Sequence, residues 1–279
     1  MPNYGYHLAR AKGDAVRKLY RSSLKLITNR PVEINKSVSA DVFSYSGKAA
    51  LPEQVASIRS FLRYAGRPKT FTVVSDGTLS AEDIHLLESV DPVVRVRKTS
   101  EFRPENVPPA TFAYLTEHPT GKQQALIMSL PTDGPAIYTD SDVLFFEGAG
   151  DLEQVLRENS APARYLPDCK LSADDRLFRS LPEQTAPVNT GFLILFRNLD
   201  WSLALSRLIE LDGPPTFFTN QTLTHLAMHL NHAVPLDPEK YVLQLDDQFV
   251  YPDRYAGKRI ALRHYVNPVR HKFWARFPR

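Results

Sequence analysis

Cysteine is nearly absent: Cys169 is the one thiol in 279 residues, which excludes an internal disulfide framework. The chain also lacks an N-terminal apolar signal stretch and any apolar run near the ~20 residues that a membrane span needs. These absences lead to the expectation of a soluble, cytoplasmic protein. No Gly-x-Gly-x-x-Gly and no Walker loop occurs, so any phosphates bound here must be held by a metal and basic side chains. Internal repeats, low-complexity tracts and clean linkers are missing too. The remainder, 43% hydrophobic and 23% charged, is ordinary globular material long enough for one large domain. A nucleic-acid partner is not expected.

Net charge is small but segregated. The formal net charge is +3, yet residues 1–30 hold seven Lys/Arg against the single acid Asp14, and residues 254–279 hold eight against none. The intervening body carries 19 bases and 30 acids. Basic ends on an acidic body point to an anionic partner at the termini. Residues 1–35 are expected to form a basic helical extension, and 36–279 a single domain. Within the extension, Leu8 to Thr28 sets Leu19, Leu24, Leu26 and Ile27 among Arg10, Lys12, Arg17, Lys18, Arg21 and Lys25. Such a helix either packs on the domain by its leucines or touches an anionic membrane surface.

Further along, strands and helices alternate. Ala40–Ser46 reads as a strand and Leu51–Tyr64 as a helix with Val55, Ile58 and Leu62 on one face. Phe71–Val74 is a second strand, followed by a helix that Ser80 and Asp83 would cap, and Val93–Val96 is a third strand. A helix over Thr120–Leu130 carries Lys122. The second half gives a weak strand at Arg164–Leu166, an apolar strand entered at Asn189, helices over Trp201–Leu211 and Phe217–Leu230, and a strand-like Ile260–Tyr265. This alternation predicts an α/β fold with a mostly parallel sheet flanked by helices, which binds ligands at the carboxyl ends of its strands.

Ala136–Phe146, AIYTDSDVLFF, is the stretch around which the rest is arranged. A buried strand runs into Asp140 and Asp142 one residue apart. In an extended segment their carboxylates would point to one face while Ser141 points away. Two like charges that close need a cation, and carboxylate oxygens suit Mg2+ or Mn2+. His225 and His229 stand i, i+4, but no Glu follows His225 as in a zinc protease, so they are read as surface or core histidines.

Taken together these residues resemble the GT-A nucleotide-sugar glycosyltransferases, and among them the glycogenin-like branch that includes bacterial lipopolysaccharide hexosyltransferases. The resemblance covers roughly Ala40 to Trp274. Tyr138 to Leu144 is similar to that family's Asp-x-Asp metal segment, and Val188 to Leu193 to its later Asn-x-Gly strand. Asn220-Gln221 resembles the Asp-Gln pair beside the transferred sugar, although Asn220 departs from the usual aspartate. His264-Tyr265 resembles the His-Phe or His-Tyr pair whose imidazole completes the metal shell. The resemblance implies a base grip at Ser44 and Tyr45, a donor contact at Lys122, and a phosphate clamp from Arg270, Lys272 or both. Asn267 stands where the family often has glycine.

The implied activity is metal-dependent transfer of a hexose from a nucleotide sugar, a UDP-hexose, to a saccharide or glycolipid hydroxyl. Growing charge on a departing diphosphate would be stabilised by the metal with Arg270 and Lys272, and an imidazole from His264 favours Mn2+ over Mg2+. Retention, which the resemblance implies, places Gln221 and Asn189 along the sugar. Inversion would need a carboxylate base, for which Asp246 and Asp247 are the candidates. Two rivals stay open: a sugar-phosphate nucleotidyltransferase, and a nucleotide-sugar-binding protein without turnover. The former would carry a glycine-rich basic loop after its first strand, where Ser44 to Lys48 has one glycine. The latter would be expected to lose the trio Asp140, Asp142 and His264.

Overall fold

The buried apolar runs become the centre of one twisted sheet. The computed structural model describes residues 3–131, 133–157 and 162–275. Within them β1 (Asp41–Ser46), β2 (Phe71–Ser75), β3 (Val94–Lys98) and β4 (Ala136–Thr139) pair in parallel, in the order β3-β2-β1-β4. β7 (Val188–Leu195) then adds antiparallel to β4, and β6 (Arg164–Pro167) antiparallel to β7, with β8 (Val234–Pro235) at the edge. The sheet has seven strands and is mixed.

Because successive strand residues face opposite sides, each central strand feeds two cores. Val42, Val73, Ile137 and Ile194 pack under α3 (Leu51–Tyr64), against its Val55, Ile58 and Leu62. Their neighbours Phe43, Val74, Tyr138 and Leu193 pack on the other face, against α6 (Pro119–Met128), α8 (Ser202–Ile209) and α9 (Thr219–Leu230). The expected capping box closes the start of α4 (Ala81–Glu88), with the Ser80 side chain accepting from the Asp83 amide and Asp83 from the Ser80 amide.

The apolar residues after Asp142 form β5 (Val143–Phe145) in a second, three-stranded sheet with β10 (Leu262–His264) and β9 (Tyr241–Val242). One expectation is corrected. The basic N-terminal helix begins earlier and is broken. α1 spans Tyr4–Ser22, capped by Asn3, and α2 spans Leu24–Thr28. Its leucines hold it down only in part. Leu24 is buried and Ile27 partly so, but Leu8, Leu19 and Leu26 are exposed. The inward face of α1 is instead Ala9, Gly13, Val16 and Tyr20, whose ring lies 4.8 Å from that of Trp274. Arg17 adds an ion pair to the buried Glu53, at 2.9 Å.

Candidate active site

The reversal of β7 builds the site. Since β7 runs antiparallel to β4, its first residues lie beyond the carboxyl end of β4, and the Asp140 amide donates to the Gly191 carbonyl at 2.9 Å. Here the chain leaves the large sheet for the small one through a turn at Ser141 and Asp142 rather than through an extended segment. The carboxylates nevertheless converge, because β10 pairs with β5 and delivers His264 opposite Val143. His264 Nε2 lies 3.1 Å from Asp142 and 3.6 Å from Asp140. One ligand atom from each of the three falls within 4.8 Å of the others.

Asn189 and Gly191 have separate duties in this arrangement. The Asn189 Oδ1 accepts from the Gly191 amide at 2.9 Å and lies 2.9 Å from His264 Nδ1. That contact keeps the proton on Nδ1 and leaves Nε2 to the carboxylates. A Cβ on residue 191 would lie 2.2 Å from the imidazole Cε1, so only glycine lets the ring in. Burial opposes charge on His264, but Asp142 and Asp140 outweigh it and raise its pKa. Burial likewise raises the Asp140 carboxyl, whereas His264 and Arg270 overcome burial at Asp142 and hold it below the usual carboxylate range. Arg270 reaches Asp142 with Nη2 at 2.6 Å while half its side chain stays in solvent.

Asp140 is steadied from the helical side. Tyr138 donates to its Oδ1 at 2.8 Å, and Gln123 of α6 donates to both Tyr138 and Asp140, at 2.6 and 3.0 Å. Asn220 in turn donates to the side-chain Oε1 of Gln123 at 3.0 Å. Gln221 donates to the Ser172 carbonyl at 2.8 Å and to Asp168 at 3.2 Å, and Asp168 also receives the Asn189 amide at 3.1 Å.

The same architecture recurs in solved structures of low sequence identity. Mouse xyloside xylosyltransferase 1 superposes with a TM-score of 0.54 at 12% identity, over 84% of this chain and 99% of that one. The WbbM bifunctional glycosyltransferase gives 0.52 at 15%, over 86% of this chain and 48% of that one. GlyE, a glycosyltransferase of Streptococcus pneumoniae TIGR4, gives 0.51 at 12%, over 85% and 60%. The fold is the GT-A glycosyltransferase fold. No protein-family model and no curated protein matches the sequence.

Within this GT-A fold the structure gathers Asp140, Asp142, His264, Arg270, Asn189, Asn220 and Gln221, with Ser141 half-buried in the turn between the two acids. Other expected site residues lie elsewhere. Lys272 is buried, donating to the Val250 and Pro252 carbonyls at 2.7 and 2.9 Å, with Asp247 3.7 Å away. Asp247 is itself fully buried and accepts both Nη atoms of Arg263. Asp246 is exposed and accepts from Tyr255 at 2.6 Å. Lys272 and Asp247 belong to the frame behind β10, because Asp253 and Tyr265 close the same network through Arg263.

Ser44 is buried and donates to Gln54 at 2.8 Å, which turns it away from a ligand. Tyr45 is half-buried, with its hydroxyl pushed up to about 12 by burial and by Asp76, and that hydroxyl has no partner among the described residues. Lys122 is half-buried, and among the described residues the site contact comes from its neighbour Gln123. Gln123 and Asp168 were not anticipated: a lone glutamine on a helix and a lone aspartate after a weak strand carry no spacing signal.

His225 and His229 are structural, as expected. His225 accepts from the Val188 amide at 3.3 Å and lies 2.6 Å from the Glu183 carbonyl, and burial lowers its pKa to about 4. His229 lies 3.1 Å from the Ala186 carbonyl.

Proposed function

We propose that the protein is a metal-dependent glycosyltransferase that moves a hexose from a UDP-hexose to a hydroxyl of a saccharide or glycolipid, with retention. The observation that carries this reading is the convergence of Asp140, Asp142 and His264 beyond the end of β4, with the half-exposed Arg270 beside them. Two carboxylate oxygens and an imidazole nitrogen fit Mn2+ better than Mg2+, because imidazole is the softer ligand. When bound, such an ion supplies Lewis-acid stabilisation of a departing diphosphate.

The chain's own residues supply the rest. Asn189 holds the His264 tautomer, and Gly191 keeps room for its ring. Arg270, already at hydrogen-bonding distance from Asp142, is placed to exchange that partner for a diphosphate oxygen, where bidentate guanidinium contacts are strongest. Tyr45 and the Ser46 hydroxyl, both without partners among the described residues, give the end of β1 the groups to grip a base and ribose. Asn220 and Gln221, anchored through Gln123 and Asp168, line the sugar. Asp246 and Asp247 are engaged elsewhere, so no base on the acceptor is assigned to them, which favours retention. A further carboxylate, Asp168, is bound to Gln221 and Asn189 and orients them.

The test is release of nucleoside diphosphate from a panel of nucleotide sugars with Mn2+ and no acceptor, since water can replace the missing hydroxyl at a low rate. Slow, chelator-sensitive release of UDP is expected. Pyrophosphate release from a nucleoside triphosphate and a sugar phosphate would select the nucleotidyltransferase instead. Binding of UDP without turnover under any acceptor mixture would select a non-catalytic role.

A further inference from the structure

Helix α1 has a second apolar face that no other element among the described residues covers. Its inner face is settled: Gly13 presses on the His271 carbonyl so closely that a Cβ there would lie 2.3 Å away. On the opposite face Tyr4, Leu8 and Leu19 are 71%, 61% and 65% exposed, with exposed Ala11 and Ala15 between them. Positions 4, 8, 11, 15 and 19 follow the helical repeat, so these five side chains form one stripe along the outside of the helix. Periodic apolar residues have no reason to face water, whereas scattered ones would need no explanation.

The stripe has basic edges. At 100° per residue Lys12 lies along one side, and His7, Lys18 and Arg21 along the other, with Asp14 the single acid of the helix. Beside the first turns lie two more exposed aromatics. Phe249 sits 5.8 Å ring to ring from Tyr6, and Tyr251 lies under the Lys12 ammonium at 5.9 Å.

We infer that α1 is an in-plane docking helix for an anionic lipid bilayer, with Tyr4, Leu8, Ala11, Ala15 and Leu19 entering the headgroup and acyl boundary and the flanking cations meeting lipid phosphates. Charge decides between the two apolar partners available. A second copy of this chain laid stripe to stripe would bring two sets of basic edges together with only Asp14 on each side to offset them. An anionic surface satisfies both the stripe and its edges. Tyrosine at the rim suits the same boundary. The sequence offered membrane contact or packing by leucines; Leu24 and Ile27 of α2 pack on the core, whereas in α1 the packing face and the face of Leu8 and Leu19 are different sides. The helix also rests on the turn whose Arg270 reaches Asp142, so a docked α1 would hold that segment close to the lipid surface. The docking itself does not depend on the proposed reaction.

The experiment is flotation of the full chain with phosphatidylcholine vesicles, with and without phosphatidylglycerol. Binding is expected to need phosphatidylglycerol and to weaken at high salt. Combining Leu8→Ser with Leu19→Ser should lower the partition coefficient at least about tenfold at any salt. Combining Lys18→Glu with Arg21→Glu should do so mainly at low salt. Because all four side chains are on the surface, melting temperature should be unchanged, and a Leu8→Trp probe should shift its emission to the blue on anionic vesicles only. Equal flotation of the wild type and the double serine variant would overturn the inference. So would an absence of flotation combined with a dimer, seen by sedimentation, that the serine variant dissolves, which would assign the stripe to a second copy.

Discussion

Asp247 offers the sharpest separation between a frame residue and a catalytic one. Its carboxylate is fully buried, accepts Arg263 Nη1 and Nη2 at 3.0 and 2.8 Å and the Arg254 amide at 3.2 Å, and lies 3.7 Å from Lys272. Asp247→Asn keeps the shape but removes the charge, leaving Arg263 with Asp253 and the Gln244 carbonyl and Lys272 with backbone carbonyls. Breaking a buried pair costs about 3–5 kcal/mol, and the surviving Asp253 contact puts this case at the low end, about 3 kcal/mol. For a chain of this length the unfolding entropy is roughly 0.6 kcal/mol per kelvin, so the melting temperature should fall by about 5 °C. Burial alone would raise the Asp247 pKa, but Arg263 overcomes it and the folded value lies below that of a free carboxylate. The stabilisation is therefore complete above the unfolded pKa near ~3.9 and is lost only as pH falls through the folded value. The deficit of the variant should be constant from pH 5 to 8 and shrink in strong acid. Calorimetry measures the stability, and UDP release well below the melting temperature measures the chemistry. Normal stability with turnover reduced a hundredfold would refute the frame role and restore Asp247 as a base.

Other outcomes follow from the site geometry. Asp140→Asn, Asp142→Asn and His264→Ala should each weaken Mn2+ binding, read by electron paramagnetic resonance, and lower turnover far more than stability, with turnover abolished by EDTA. Gly191→Ala must displace the His264 ring and should weaken Mn2+ binding roughly 10–100-fold while the protein still folds. Burial keeps the His225 imidazole neutral down to about pH 4, so stability should be full above the unfolded value near ~6.5 and decline as pH falls from there towards 4, which thermal melts across that range would show. A ring that titrates near pH 6.5 by NMR would contradict that placement.

What was legible in the sequence was whatever local pattern encodes. The buried runs at Phe71–Val74 and Ala136–Tyr138 lie in the sheet as read, because an uninterrupted apolar strand can be satisfied only between two layers. Asp140 and Asp142 could be proposed because they follow a buried strand at its carboxyl end, where an α/β sheet places its polar turns, whereas Asn189 and His264 were proposed from the resemblance alone. Asp247 and Lys272 were misplaced for a physical reason. Charge and position in the chain do not tell whether a side chain points into the site or into the frame behind it, and here the fully buried Arg263 draws Asp247 into that frame with Lys272 beside it.

The residues that could not be read are those whose partners come from distant segments. Gln123 matters because Asn220, 97 residues away, and Asp140, 17 away, meet at its amide. Asp168 matters because it collects Asn189 and Gln221 at one oxygen. Neither has a periodicity or a neighbour that marks it, since a hydrogen bond across the fold constrains orientation rather than local propensity. Gly191 lies between the two cases. A glycine inside a strand reads as a weakness until the imbalance is traced to the imidazole 2.2 Å from its missing Cβ. The Asn-x-Gly pattern thus acquires a cause that needs no comparison with other proteins. One residue fixes the proton on His264, and the other makes the space that its ring occupies, so exchanging either should move the imidazole without touching a ligand.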